Sequence, residues 1–362
     1  SAVPASDKAT VALSGTDLQD GENTVTCTVT AEDGTTSRTY TILVNRVEGG
    51  ESMAEADQEE TTAEETKEEE TTAEEEDEEN YDTGDAALDN TRNQDEIGEK
   101  ELLVVSFGTS YEETREKTIG AIEEDFRRAF PDFEVRRAFT SGMIIRKLKE
   151  RDGIEIDSVK QALQKLFDEG FGTVICQPTH VMNGFEFDDV RKEVDSWKGR
   201  FANIVCGWPL LTSFEDYPKV TRALREEFSD IQPDTALVLM GHGTEHPANA
   251  TYSALDYRLK AEGCKNFFIG TVEGYPDLET VKKEVEAIHA KKVVLAPLMV
   301  VAGDHAINDM SGDDDSWQQV FEAAGYETQV VLKGLGEYPS IRKIYLEHCV
   351  DCMQKLSGEI SL

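Results

Sequence analysis

Leu237-Val-Leu-Met-Gly-His-Gly-Thr244 is an apolar run that ends in a glycine-flanked histidine, and Leu103-Val-Val-Ser-Phe-Gly-Thr-Ser110 has the same form earlier in the chain. Runs that are apolar throughout are buried on both faces, the habit of strands in parallel sheets. A second pair follows in the same order: Gln177-Pro-Thr-His-Val-Met-Asn-Gly-Phe-Glu-Phe187 matches Ala296-Pro-Leu-Met-Val-Val-Ala-Gly-Asp-His-Ala306. Two matched pairs in one order indicate an internal duplication. Around them, strand-like runs at 102–106, 133–139, 173–178, 236–240, 266–271 and 292–300 alternate with amphipathic stretches at 111–130, 158–169, 187–197, 248–261 and 278–290. The alternation predicts an α/β fold of two pseudo-symmetric, doubly wound parallel-sheet halves, spanning about 99–230 and 231–362.

Two other segments precede this region. Residues 1–48 are all-β in pattern. Asn23-Thr-Val-Thr-Cys-Thr-Val-Thr-Ala31 alternates with period two, Glu32-Asp-Gly-Thr-Thr36 supplies a turn, and Arg38-Thr-Tyr-Thr-Ile-Leu-Val44 resumes the alternation. That is a β-hairpin. Residues 49–98 are dominated by Glu and Thr, and Glu-Thr-Thr-Ala-Glu-Glu occurs twice. A tract so poor in large apolar residues cannot bury enough surface to offset its ordering entropy, so it is expected to be a disordered acidic linker.

The 362 residues carry a formal net charge of −38. Nucleic acid and anionic membrane surfaces would both be repelled, so neither is an expected partner. No run approaches the roughly 18–20 apolar residues that span a bilayer. The six cysteines are scattered and do not form a disulfide scaffold. Cys349-Val-Asp-Cys352 sits on a predicted amphipathic helix starting near Pro339 and reads as a core pair before it reads as a metal clip. Asp313-Asp-Asp-Ser-Trp317 reads as the cap of a helix beginning near Trp317.

The chemistry is expected in the loops at the carboxyl ends of the strands, where open parallel sheets bind ligands. His180, His242 and His305 all fall in such loops. Glycines on both sides of His242 let the chain turn tightly and leave the imidazole accessible. Asp304, beside His305, is a candidate to orient that ring. Glu273 follows the strand ending at Gly270. Two imidazoles and a carboxylate make a divalent-metal site with open positions, and N,N,O ligation suits Co²⁺, Fe²⁺, Ni²⁺ or Zn²⁺ better than Mg²⁺ or Ca²⁺. The same residues also read as hydrogen-bonded loop groups, and the pattern alone leaves both readings open.

Taken in order, Val104-Val-Ser-Phe-Gly-Thr-Ser, Gln177-Pro-Thr-His-Val-Met-Asn-Gly-Phe-Glu-Phe, Met240-Gly-His-Gly-Thr-Glu-His-Pro-Ala-Asn, Val272-Glu-Gly-Tyr-Pro and Pro297-Leu-Met-Val-Val-Ala-Gly-Asp-His-Ala resemble the anaerobic sirohydrochlorin cobalt chelatases, relatives of ferrochelatase among the class II chelatases. The resemblance covers residues 101–350 and implies a bilobal fold. It implies insertion of a divalent metal, Co²⁺ first, into a tetrapyrrole, with His242, Glu273 and His305 as metal ligands and no organic cofactor. It casts His242 also as a base and Glu186 as a second catalytic acid or base, although Phe185 stands where the family usually has another Glu. Ser106, Thr109, Ser110, His180 and Arg137, with Arg146, are the candidates for binding the substrate and its carboxylates. Residues 1–48 resemble the cadherin-like β-sandwich modules of bacterial surface proteins. That module implies an exported location, whereas the chelatase resemblance implies a cytoplasmic one. The competing function is therefore an envelope-located haem or tetrapyrrole binder that uses the same cleft without turnover. A homo-oligomer is compatible with the sequence.

Overall fold

The computed structural model describes residues 10–14, 21–30, 37–46, 100–313 and 315–357. They belong to two compact units, one holding the first three strands and the other everything from Lys100 onward. The expected acidic linker, 49–98, lies outside the described residues, as does the turn expected at Glu32 to Thr36. In the first unit β1 (Thr10–Ser14), β2 (Gly21–Thr30) and β3 (Ser37–Arg46) form an antiparallel sheet in that order. Val25 pairs with Ile42 and Cys27 with Tyr40, which is the hairpin expected from the period-two alternation. The strand β1 adds an edge that the sequence reading did not include.

The second unit holds eight strands: β4 (Lys100–Ser106), β5 (Glu134–Phe139), β6 (Thr173–Pro178), β7 (Asn203–Cys206), β8 (Thr235–Gly241), β9 (Phe267–Thr271), β10 (Lys292–Pro297) and β11 (Glu327–Val330). They form two parallel four-stranded sheets, ordered β5-β4-β6-β7 and β9-β8-β10-β11. Numbered within each half, both orders read 2-1-3-4, so the repeated sequence is a repeated topology. The pairing also fixes the correspondence. Val105 lies beside Pro178 in the first sheet, and Met240 beside Pro297 in the second. Leu102, not Leu103, is therefore the equivalent of Leu237, one residue away from the match the sequences suggest.

Period two sorts the apolar side chains onto opposite faces. In β4, Leu103 and Val105 pack with Val174 and Cys176 against α4 (Val159–Asp168) and α5 (Phe185–Ser196). Leu102 and Val104 face the other way, onto α2 (Ala121–Ala129), α6 (Asp216–Glu227) and α11 (Pro339–Ser357). In the second sheet, Ala236, Val238 and Met240 meet α8 (Leu278–Ala287) and α10 (Trp317–Ala323), while Leu237 and Leu239 meet α7 (Ala250–Ala261). One continuous core runs between the two sheets through α2, α6, α7 and α11. No helix among the described residues is long and apolar enough to cross a membrane.

The local caps are explicit. Ser158 and Gln161 form a reciprocal capping box on α4. At α10 the cap is the Ser316 hydroxyl, which accepts from Gln319 N at 3.3 Å. Cys349 and Cys352 are buried in the shared core, as a core pair should be. Burial raises both thiols, Cys352 to about 11.

Ionisable side chains are buried at the start of the first sheet. Glu101 is fully buried, 3.6 Å from Arg136, whose guanidinium also donates to Glu169 at 3.1 Å. Burial outweighs the attraction of Arg136 and pushes the Glu101 carboxyl up to about 9. The folded state therefore keeps a proton that the unfolded chain releases near pH 4.5. This contribution to stability is complete below the unfolded value and is lost as pH rises through the folded one. The Glu101→Gln variant should lose less stability than the parent chain between pH 6 and 9, read as the two melting curves by circular dichroism at each pH.

Candidate functional site

Each strand of the second sheet delivers its loop to the same edge. After β8, the chain continues as His242-Gly243-Thr244; after β9, as Val272-Glu273-Gly274; after β10, it reaches Gly303 and α9 (Asp304–Ile307). The first two loops lie backbone against backbone. Glu273 N donates to the His242 carbonyl at 2.7 Å. Gly243 has φ +91°, and a Cβ there would sit 2.6 Å from Gly274 N. Only glycine satisfies both conditions. Asn249 ties the same loops from behind: Thr244 N donates to Asn249 Oδ1 at 3.1 Å, and Asn249 Nδ2 donates to the Tyr275 carbonyl at 2.7 Å.

These loops bring His242, Glu273 and His305 together, with one candidate ligand atom from each lying within 4.8 Å of the others. The two imidazoles meet edge to face with centroids 4.5 Å apart, and Glu273 Oε2 is 3.6 Å from His242 Nδ1. Each ring has a partner for Nδ1. His242 Nδ1 is 2.9 Å from the Gly243 carbonyl, and His305 Nδ1 is 2.6 Å from Asp309 Oδ2. An Nδ1–H donated to these oxygens leaves Nε2 of both rings as the lone-pair donor. All three side chains are part-exposed, so the cluster opens to the cleft.

The residue that orients His305 is Asp309, one helical turn on, and not Asp304. Asp304 instead accepts from Tyr111 Oη at 3.1 Å, a bond from the other lobe. Neighbouring side chains diverge, whereas positions i and i+4 share a face, and that spacing was the available signal.

The candidates of the first lobe divide. Glu186 is exposed in the first turn of α5. Its charge reaches His180 and Tyr252, the latter a tyrosine that burial lifts to about 12. Both ring nitrogens of His180 are buried without a hydrogen-bond partner. Burial disfavours the imidazolium and pulls this histidine to about 4, so it is neutral at physiological pH. Ser106, Thr109 and Ser110 are buried. Ser106 Oγ accepts from Thr179 Oγ1 at 2.8 Å, Thr109 Oγ1 from Tyr111 N at 3.3 Å, and the Ser110 carbonyl from Arg151 at 2.7 Å. These bonds hold the loop in shape. Arg137 corrects the expectation made for it: it is fully buried and held by Glu123 through two bonds of 2.7 and 3.1 Å. A guanidinium committed to a buried bidentate pair is a fold element rather than a clamp for substrate carboxylates. Arg146 is exposed on α3 (Gly142–Lys147).

The cobalt chelatase (CbiK) family model matches residues 100–354, and a cadherin-like β-sandwich domain model matches residues 2–47. The sirohydrochlorin cobaltochelatase of Salmonella typhimurium is 46% identical over 250 residues, covering 69% of this chain and 94% of that protein. A sirohydrochlorin cobaltochelatase of Nitratidesulfovibrio vulgaris is 33% identical over 276 residues, covering 75% of this chain and 97% of that protein. In fold alone, the chain resembles SirB from Bacillus subtilis, solved with Fe³⁺, at a TM-score of 0.51 and 13% identity over 72% of this chain and 97% of that one. With more than half of its length matched by one family model and its lobes built on one repeated topology, this chain belongs to the cobalt chelatase family.

Proposed function

We propose that the second unit is a sirohydrochlorin cobaltochelatase, which takes Co²⁺ as a substrate and inserts it into the macrocycle with release of two protons. The observation that carries this reading is the convergence of His242, Glu273 and His305 at the mouth of a cleft between two like-folded sheets. Two neutral imidazoles and one carboxylate suit a borderline divalent ion. They leave coordination positions open and a net positive charge on the ion.

The exchange balances at these side chains. The macrocycle gives up two pyrrole N–H protons and becomes a dianionic four-nitrogen ligand, which outcompetes two imidazoles and a carboxylate for the ion. As the ion leaves, the Nε2 lone pair of His242 is freed, and it takes up one of the two protons the macrocycle sheds. Glu186, exposed on the facing lobe, is the second proton acceptor in this reading. The cadherin-like segment supports an envelope or surface location. It also supports the competing reading, in which the same cleft carries a tetrapyrrole without turnover.

A visible-absorbance assay with sirohydrochlorin and Co²⁺ separates the two. The proposed function expects accelerated metal insertion, falling at least a hundredfold in His242→Ala and His305→Ala. Haem binding without turnover would establish the carrier instead. Asp309→Ala should weaken Co²⁺ binding by roughly 10–100-fold while leaving the fold intact, since it removes the acceptor that orients His305; calorimetric titration reads this directly. Gly243→Ala should abolish Co²⁺ binding in the same titration, because a Cβ drives the His242 and Glu273 loops apart.

A further inference from the structure

The two lobes touch across the cleft in two equivalent ways. On one side, the loop after β4 and the helix it opens meet the loop after β10: Tyr111 Oη reaches Asp304, and Thr114 Oγ1 donates to the Ala302 carbonyl at 3.4 Å. On the other, the start of α5 after β6 meets the loop after β8: the Phe185 ring lies edge to face on His246 with centroids 4.8 Å apart, and His246 Nε2 is 3.4 Å from Asp188. Exchanging the lobes maps each contact onto the other, so the cleft is pseudo-two-fold.

The loops themselves repeat bond for bond. Thr140 N donates to the Ser106 carbonyl at 2.9 Å as Val272 N does to Gly241 at 3.1 Å, and Ser141 N donates to the Phe107 carbonyl at 3.2 Å as Glu273 N does to His242 at 2.7 Å. The next residue is a left-handed glycine in both, with Gly108 at φ +103° and Gly243 at φ +91°. After the third strand, Gly184 and Gly303 cap their helices at φ −94° and −93°. Phe107 thus stands where His242 stands, Ser141 where Glu273 stands, and Glu186 where His305 stands. The Ser141 hydroxyl caps α3, accepting from Ile144 N at 3.3 Å. The Phe107 ring, 45% exposed, belongs to none of the core clusters.

We propose that Phe107 is the platform for the macrocycle, so that one copy of the duplicated site binds the metal and the other binds the ring. The inference rests on the tetrapyrrole reading above. Metal insertion needs this division. An ion held by ligands from both lobes would be enclosed, whereas an ion held from one side can pass to a ring supported on its other face. A flat conjugated ring gains from offset contact with an aromatic side chain, and the apolar ring of Phe107 cannot compete for the ion.

The test uses the full chain and measures two affinities separately: sirohydrochlorin without metal, by absorbance titration, and Co²⁺ without tetrapyrrole, by calorimetry. Phe107→Ala should weaken sirohydrochlorin binding about tenfold or more, with Phe107→Trp restoring it and Co²⁺ affinity unchanged in both. Unchanged sirohydrochlorin affinity in Phe107→Ala, beside a wild type that binds and turns over, overturns the platform alone. Parallel loss of both affinities that Trp does not restore also overturns it, since the role would then be structural. A wild type that binds no tetrapyrrole overturns this inference together with the function it rests on.

Discussion

A strand with no polar face must be covered on both sides, and that constraint organises the whole second unit. Leu102 to Val105 are all fully buried, and so are Ala236 to Met240. Each sheet therefore needs helices on two faces, and the two sheets share one of those layers. With both faces closed, the strand ends are the places where the backbone reaches a ligand. Because the strands are parallel, both sheets send the loops after their first three strands toward one cleft. The site is where it is because burial leaves nowhere else for it.

The same logic explains what could be read in the sequence. The continuous apolar runs gave the strands and their order. The glycines beside His242 gave an accessible imidazole, and the spacing of the loops put Glu273 and His305 near it. Other features needed the pairing register or the third dimension. The strands β7 and β11 are four residues each; β7 has only Ile204-Val-Cys206 as a short apolar stretch and β11 is polar and only part-buried, so neither stands out as a long apolar run. Arg137 was a candidate for substrate carboxylates by its charge, but it shares a face of β5 with Val135, and that parity turns it toward Glu123. Asp309 was passed over for Asp304 because sequence adjacency is easier to see than a helical turn. Phe107 gave no signal at all, since an aromatic residue after a strand is ordinary until the duplication shows what stands in the equivalent place.

The duplication is looser in its supports than in its loops. The chain end of the second lobe, α11, lies on the first sheet. There Tyr345 Oη donates to the Thr179 carbonyl at 2.7 Å, and His348 bridges the Trp208 carbonyl at 3.1 Å and Asp216 at 2.9 Å. Burial alone would raise the Asp216 carboxyl, but the His348 bond and the Ser213 amide hold it down at about 2, so it stays ionised in this buried place. The loop that leads to Glu186 is further joined to its neighbour by Leu210 N and Leu211 N, which donate to His180 and Val181 at 2.9 Å. In the second lobe, a single side chain, Asn249, clamps the two loops that carry His242 and Glu273. Each lobe thus fixes its cleft loops with bonds of its own, at the loop after β6 in the first and at the loops after β8 and β9 in the second. A metal ligand set gains affinity and selectivity when its geometry is set before the ion arrives, and so does a surface meant to seat a flat ring. That both lobes retain stiff loops, by different means and with different side chains presented, is what a cleft requires if one wall is to hold an ion and the other to receive the molecule that takes it.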